Sequence, residues 1–307
     1  MMVSDSRRAL SSTFSFVSQS SPILRIAILA LGIAASGCSK SSPAAPTGPP
    51  AAGTNIVYSA IGASDAIGLG SSVPCIPFTE CPDGMGYVQV SVRALKARNF
   101  PVKLLNLGIP TAVISPGFEA IGAQYGRSIL GNFIEREMPF AQPDSTVATV
   151  FAGVNETITI VSALGAGAGG GNPSAYIDTQ VRAFATDYST LVAGIRTRAP
   201  STRIIALNVP NVAALPYFAG AALDQRQAQQ RLSVGFTVSA VNVLTSQGVT
   251  VVDLMCDARS YLPSNYSSDF HPNDSGYAFI SAEIVNAITL PSYPAPRANC
   301  PQMTVVP

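Results

Sequence analysis

Apolar residues in this chain come in short continuous runs rather than in strict alternation. Five such runs occupy 56–61, 104–107, 147–152, 204–209 and 249–254. A strand wetted on one face alternates apolar and polar residues, whereas a run apolar at every position belongs to a parallel sheet covered on both faces. Segments of helical period lie between the runs, at 87–98, 128–138, 175–198, 222–245 and 275–288. The 175–198 segment is long and amphipathic and stops before Pro200. The 222–245 segment sets Gln and Arg against Leu, Val and Phe on opposite faces. Strands alternating with helices predict a single three-layer α/β/α sandwich around a five-stranded parallel sheet, spanning 54–307. The glycine-rich stretch 165–171 reads as a mobile loop.

Charge narrows the partners. Eighteen basic and 17 acidic residues give a net charge of +1, with no basic cluster. That excludes a nucleic-acid partner. Charged residues make up 11% of the chain, under half the usual ~25%, which excludes a highly charged disordered chain or a coiled coil. A single His excludes a zinc site built from several imidazoles and leaves one candidate for any imidazole chemistry. No metal or cofactor is implied, and a monomer is expected.

The N-terminus has its own pattern. Arg7, Arg8 and Arg25 precede an apolar run at 26–35, shorter than the roughly 20 residues a spanning helix needs and suited to a signal-peptide core. It ends in Ala35-Ser36-Gly37-Cys38, which resembles the bacterial lipobox, with Ala35 where Leu is commonest. The resemblance implies a signal peptide over 1–37, lipidation of Cys38 and, with Ser39 next, an outer-membrane location. Residues 38–53, rich in Ser, Pro and Ala, then form a tether to the fold. Export makes the four remaining cysteines read as two disulfides. Of the three possible pairings, the close spacing of Cys75 and Cys81 suggests Cys75–Cys81 with Cys256–Cys300.

In such sheets ligands bind at the carboxyl ends of the strands, and four polar motifs stand there. Ile61-Gly62-Ala63-Ser64-Asp65 ends the first run, where a strand-to-helix turn can project the Ser64 hydroxyl and free its N–H. Asn106-Leu107-Gly108 ends the second, and a glycine lets its N–H approach a ligand closely. Gly153-Val154-Asn155-Glu156 ends the third, offering an uncharged amide donor. The sole His lies in Asp269-Phe270-His271-Pro272-Asn273 at the head of the last helix. Taken singly these read as a helix cap, a turn, a second cap and a structural His. Together they are the groups of acyl transfer: a Ser activated by His, with N–H donors for an oxyanion.

In this order the motifs resemble the SGNH (GDSL-type) hydrolase superfamily over roughly residues 55–290. The resemblance implies Ser64 as nucleophile, His271 as base and the N–H groups of Ser64, Gly108 and Asn155 as the oxyanion hole. The substrate would be a small-molecule, lipid or glycan ester. Three positions depart from the family pattern: Ala63 stands for Asp, Glu156 for Asp, and Ser268 where the third triad member usually lies three residues before the His. Asp269, two before it, is the expected orienting carboxylate, and a Ser64–His271 dyad is the alternative. A surface lipoprotein that binds a lipid or glycan without turnover is the alternative function.

Overall fold

A computed structural model describes residues 48–307. The signal peptide, Cys38 and most of the tether lie outside the described residues.

Five strands form one parallel sheet: β1 (Ile56–Gly62), β2 (Val102–Asn106), β3 (Val147–Phe151), β4 (Arg203–Leu207) and β5 (Thr250–Val252). Their spatial order is β2-β1-β3-β4-β5. The chain therefore reverses direction across the sheet between β1 and β3, where a crevice opens at the carboxyl ends. Both faces are covered, as the apolar runs require. In β4, Ile205 and Leu207 pack toward α1 (Tyr87–Ala97) and α7 (Asp274–Thr289), while Ile204 and Ala206 face the opposite layer. That layer holds α2 (Pro116–Gln124), α3 (Phe133–Arg136), α4 (Val154–Gly165), α5 (Pro173–Arg198) and α6 (Leu223–Phe236). Its aromatic centre is Phe184, stacked on Phe236 with ring centroids 4.1 Å apart.

The helices differ from the sequence expectation in three places. The segment 128–138 is not one helix. Its first residues run alongside Val113 through a bridge to Asn132, whose side chain then accepts from the Glu135 N–H and caps the four-residue α3. The α4 helix was not expected, because its sequence is rich in β-branched residues. Thr157 and Thr159 turn their hydroxyls back onto the carbonyls of Gly153 and Asn155, which lets them sit in a helix. The α2 helix likewise has no counterpart among the helical segments the sequence predicts. After α6 the chain continues through a π turn and a 3₁₀ segment to Gln247. After α4 ends at Gly165, residues 166–171 run as consecutive turns, with Gly167, Gly169 and Gly170 at positive φ.

The α5 helix has 26 residues. It ends beside the start of β4, and its Tyr188 hydroxyl donates to the Val150 carbonyl near the end of β3 (3.5 Å). Cys75 pairs with Cys81 and Cys256 with Cys300.

Candidate active site

Ser64 follows β1 in a run of tight turns rather than a strand-to-helix turn. Ala66 N–H donates to Ala63 O and Leu69 N–H to Ser64 O, and Gly68 and Gly70 take positive φ, so no helix forms until Tyr87. The Ser64 side chain is buried, and its Oγ lies 2.9 Å from His271 Nε2. His271 Nδ1 lies 2.9 Å from Asp269 Oδ2. A ring that donates from Nδ1 to a carboxylate presents an unprotonated Nε2 to the hydroxyl.

Two-residue spacing works because Asp269 closes an Asx-type turn: its Oδ1 accepts the His271 backbone N–H at 2.8 Å, which swings Oδ2 under the ring. The Ser267 hydroxyl also donates to Oδ1, at 2.6 Å. Partial burial pushes the Asp269 carboxyl up. The hydrogen bonds from Ser267 and from the His271 backbone and ring outweigh that and hold it below its ordinary value. Ser268, at the family's usual position, has no part in this chain of contacts. Asn273 caps α7 by accepting from the N–H groups of Ser275 and Gly276. Asp274 instead binds the insert after β1, through the Ser72 N–H (2.8 Å) and hydroxyl (2.6 Å).

The three expected oxyanion donors differ in their present partners. Among the described residues no protein acceptor takes the Ser64 N–H. Gly108 lies against the nucleophile turn so closely that a Cβ would stand 2.8 Å from Ala66 Cβ and 3.0 Å from Ala63 O. Its N–H donates to Asn106 Oδ1 at 3.1 Å, a partner the sequence reading missed. Asn155 sits in the first turn of α4 and gives one amide hydrogen to Ala112 O (3.0 Å), which leaves the second for a ligand.

Asn155 is held by groups that no motif announced. Arg127 donates to its Oδ1 (2.7 Å) and to its backbone carbonyl, as well as to the Thr159 hydroxyl. These bonds fix which end of the amide is oxygen. Burial lowers the Arg127 pKa, and the nearby Glu156 charge opposes that. Glu156 is itself buried and accepts from the N–H groups of Ile114 and Gly153 (2.7 Å for the latter). Burial pushes its pKa up to about 7, against those hydrogen bonds and the Arg127 charge. The Gly153 backbone has φ +117°, and a Cβ there would meet Val209 Cγ2 at 2.2 Å, so only glycine starts α4 at this angle. Glu137 was also missed. Fully buried, it accepts the Gly62 N–H at 2.8 Å beneath the end of β1, and burial raises its pKa well above the ordinary value. No group of three or more His, Cys, Asp or Glu side chains among the described residues is placed to hold a metal ion.

A hydroxyl, an imidazole and a carboxylate in series, at the carboxyl edge of a sheet ordered β2-β1-β3-β4-β5, are the features of an SGNH-type hydrolase. The chain belongs to the GDSL-like Lipase/Acylhydrolase family, whose sequence model matches residues 53–279. Its structure is similar to that of the lipase Lip_vut3 from goat rumen metagenome, at 16% identity and a TM-score of 0.51, covering 80% of this chain and 100% of that one. It is also similar to an extracellular lipase from Streptomyces rimosus, at 14% identity and a TM-score of 0.52, covering 76% and 100%. At these identities the likeness shows the fold. No curated protein sequence matches the chain.

Proposed function

We propose that the protein hydrolyses carboxylic esters through an acyl-enzyme on Ser64. The observation that carries this reading is the continuous Ser64–His271–Asp269 chain of 2.9 Å contacts. His271 Nε2 takes the Ser64 proton as Oγ attacks the carbonyl carbon, then returns it to the leaving alcohol. The Ser64 N–H and the second Asn155 amide hydrogen meet the developing oxyanion. The Gly108 N–H joins them by exchanging Asn106 Oδ1 for that oxygen. Water, deprotonated by His271, then attacks the acyl-enzyme and releases the acid, restoring Ser64. The displaced carboxylate that favoured a non-catalytic binder loses its weight, since Asp269 reaches the ring.

Turnover of p-nitrophenyl butyrate by the wild type and by Ser64→Ala tests the reading. The variant should keep its circular dichroism and lose activity by a factor on the order of 10⁶. A folded Ser64→Ala protein that still turns over the ester overturns it.

A further inference from the structure

Ser64 stands in a run of turns with no helix behind it, so what holds its hydroxyl 2.9 Å from His271 Nε2 must come from elsewhere in the fold. We propose that Tyr277, with Asp274 beside it, is a positioning residue that clasps the turn after Ser64 to the segment carrying His271 and so sets the distance between nucleophile and base. The proposal rests on the Ser64 esterase reading and deepens it.

Contacts at Leu69, Gly70 and Ser72 make the clasp. The Tyr277 hydroxyl donates to the Leu69 carbonyl at 2.6 Å. The Leu69 N–H in turn donates to the Ser64 carbonyl at 3.0 Å, so a single residue relays Tyr277 to the nucleophile. Gly70 comes next, and a Cβ there would stand 2.7 Å from both His271 Cβ and the Pro272 carbonyl oxygen. The nucleophile turn and the base therefore touch with no room for a side chain between them. Asp274 then accepts from the Ser72 N–H and hydroxyl, at 2.8 and 2.6 Å.

The α7 side of the clasp is rigid. Between His271 and Tyr277, Asn273 caps α7, and its carbonyl accepts the Tyr277 N–H at 2.8 Å. The Tyr277 ring is fully buried beside Tyr87, with centroids 6.4 Å apart. Burial pushes the Tyr277 hydroxyl well above its ordinary pKa, so it remains a donor. A tyrosine has one hydrogen to give, and the 2.6 Å bond takes it; Asp65 Oδ1, at 3.4 Å, is the weaker contact. Tyr277 outweighs Asp274, because Ser72 is exposed and water competes for its bonds. A turn released from the clasp takes Oγ away from Nε2, and a misplacement of about 1 Å costs on the order of 10²-fold in rate.

The experiment compares the wild type with Tyr277→Phe, Asp274→Ala and the double variant. Phenylalanine keeps the buried ring and removes only the hydroxyl, and Asp274→Ala leaves the Asn273 cap in place. On p-nitrophenyl butyrate kcat should fall by roughly tenfold in Tyr277→Phe, by less in Asp274→Ala and by on the order of 10²-fold in the double variant, with KM within about twofold throughout. His271 is the sole histidine, so the ¹⁵N resonances of its ring identify themselves. In Tyr277→Phe the Nε2 resonance should move toward the position it takes in Ser64→Ala, while Nδ1, held by Asp269, stays. A smaller shift of the same sign in Asp274→Ala, made at the surface, keeps the test independent of the core. In Tyr277→Phe, a kcat within about twofold of the wild type, a loss confined to KM, or an Nε2 resonance that does not move overturns the clasp. A wild type that turns over no ester fails the esterase reading alone, and the Nε2 resonance still decides the clasp.

Discussion

Asp269 and His271 are two residues apart, and on an extended segment that spacing puts both side chains on one face but fixes neither toward the other. The Asx-type turn fixes them, because one carboxylate oxygen takes the backbone N–H and the other takes the ring. Asp269→Asn keeps the turn and removes the charge. Turnover should fall by roughly 10³–10⁴ with the fold intact. A fall below tenfold would mean that a Ser64–His271 dyad suffices. Arg127 acts one step further from the chemistry, through the Asn155 amide it orients. Arg127→Met should lower kcat by roughly tenfold with KM nearly unchanged, less than the 10²–10³ expected when Asn155→Ala removes the donor itself. In an Asn155→Ala background the Arg127 change should add nothing. An additive loss there would show that Arg127 serves the fold and not the amide.

Among the elements, the two disulfides close loops of very different length. Cys75–Cys81 spans 6 positions in the insert after the nucleophile, and Cys256–Cys300 spans 44, tying the C-terminal tail to the end of β5. The chain-entropy relation gives about 4 kcal/mol for the longer loop and about 2 for the shorter. Urea midpoints of the two double Cys→Ala variants should follow that order, and the reverse order would refute the entropic account. The cysteine pairing and the five strands were legible in the sequence, since short runs apolar on both faces have few other uses. Asn155 was legible too, although the helix beneath it was not. In α4 the β-branched residues Val154, Ile158 and Ile160 mask a helix whose start is set by Gly153 and by a Glu156 carboxylate bridging to Ile114. Such tertiary bonds leave no local period. Arg127 and Glu137 escaped for the same reason: each acts on a backbone or side-chain atom brought near by folding alone.

Across the whole molecule, buried carboxyls set the pH response. Burial raises Asp65, Glu137 and Glu156. The folded protein therefore holds protons that the unfolded chain releases, and stability from these groups declines as pH climbs from about 4 through 7. Asp269 and Asp257 act oppositely. Burial raises both, but their hydrogen bonds prevail and lower them, so their contribution is present above about pH 4 and fades on acidification. Thermal unfolding should show its highest midpoint at about pH 5 and a clear decrease by pH 8. A midpoint still rising at pH 8 would refute the balance. The sheet order also has a temporal side. Ser64 and His271, the proposed nucleophile and base, are 207 positions apart, and α7, which follows His271, packs against α1. As the polypeptide emerges, the serine comes first and stays inert until the last helix docks. On the proposed mechanism, every chain truncated before α7 therefore carries a silent hydroxyl, and ester cleavage begins only once that helix has docked.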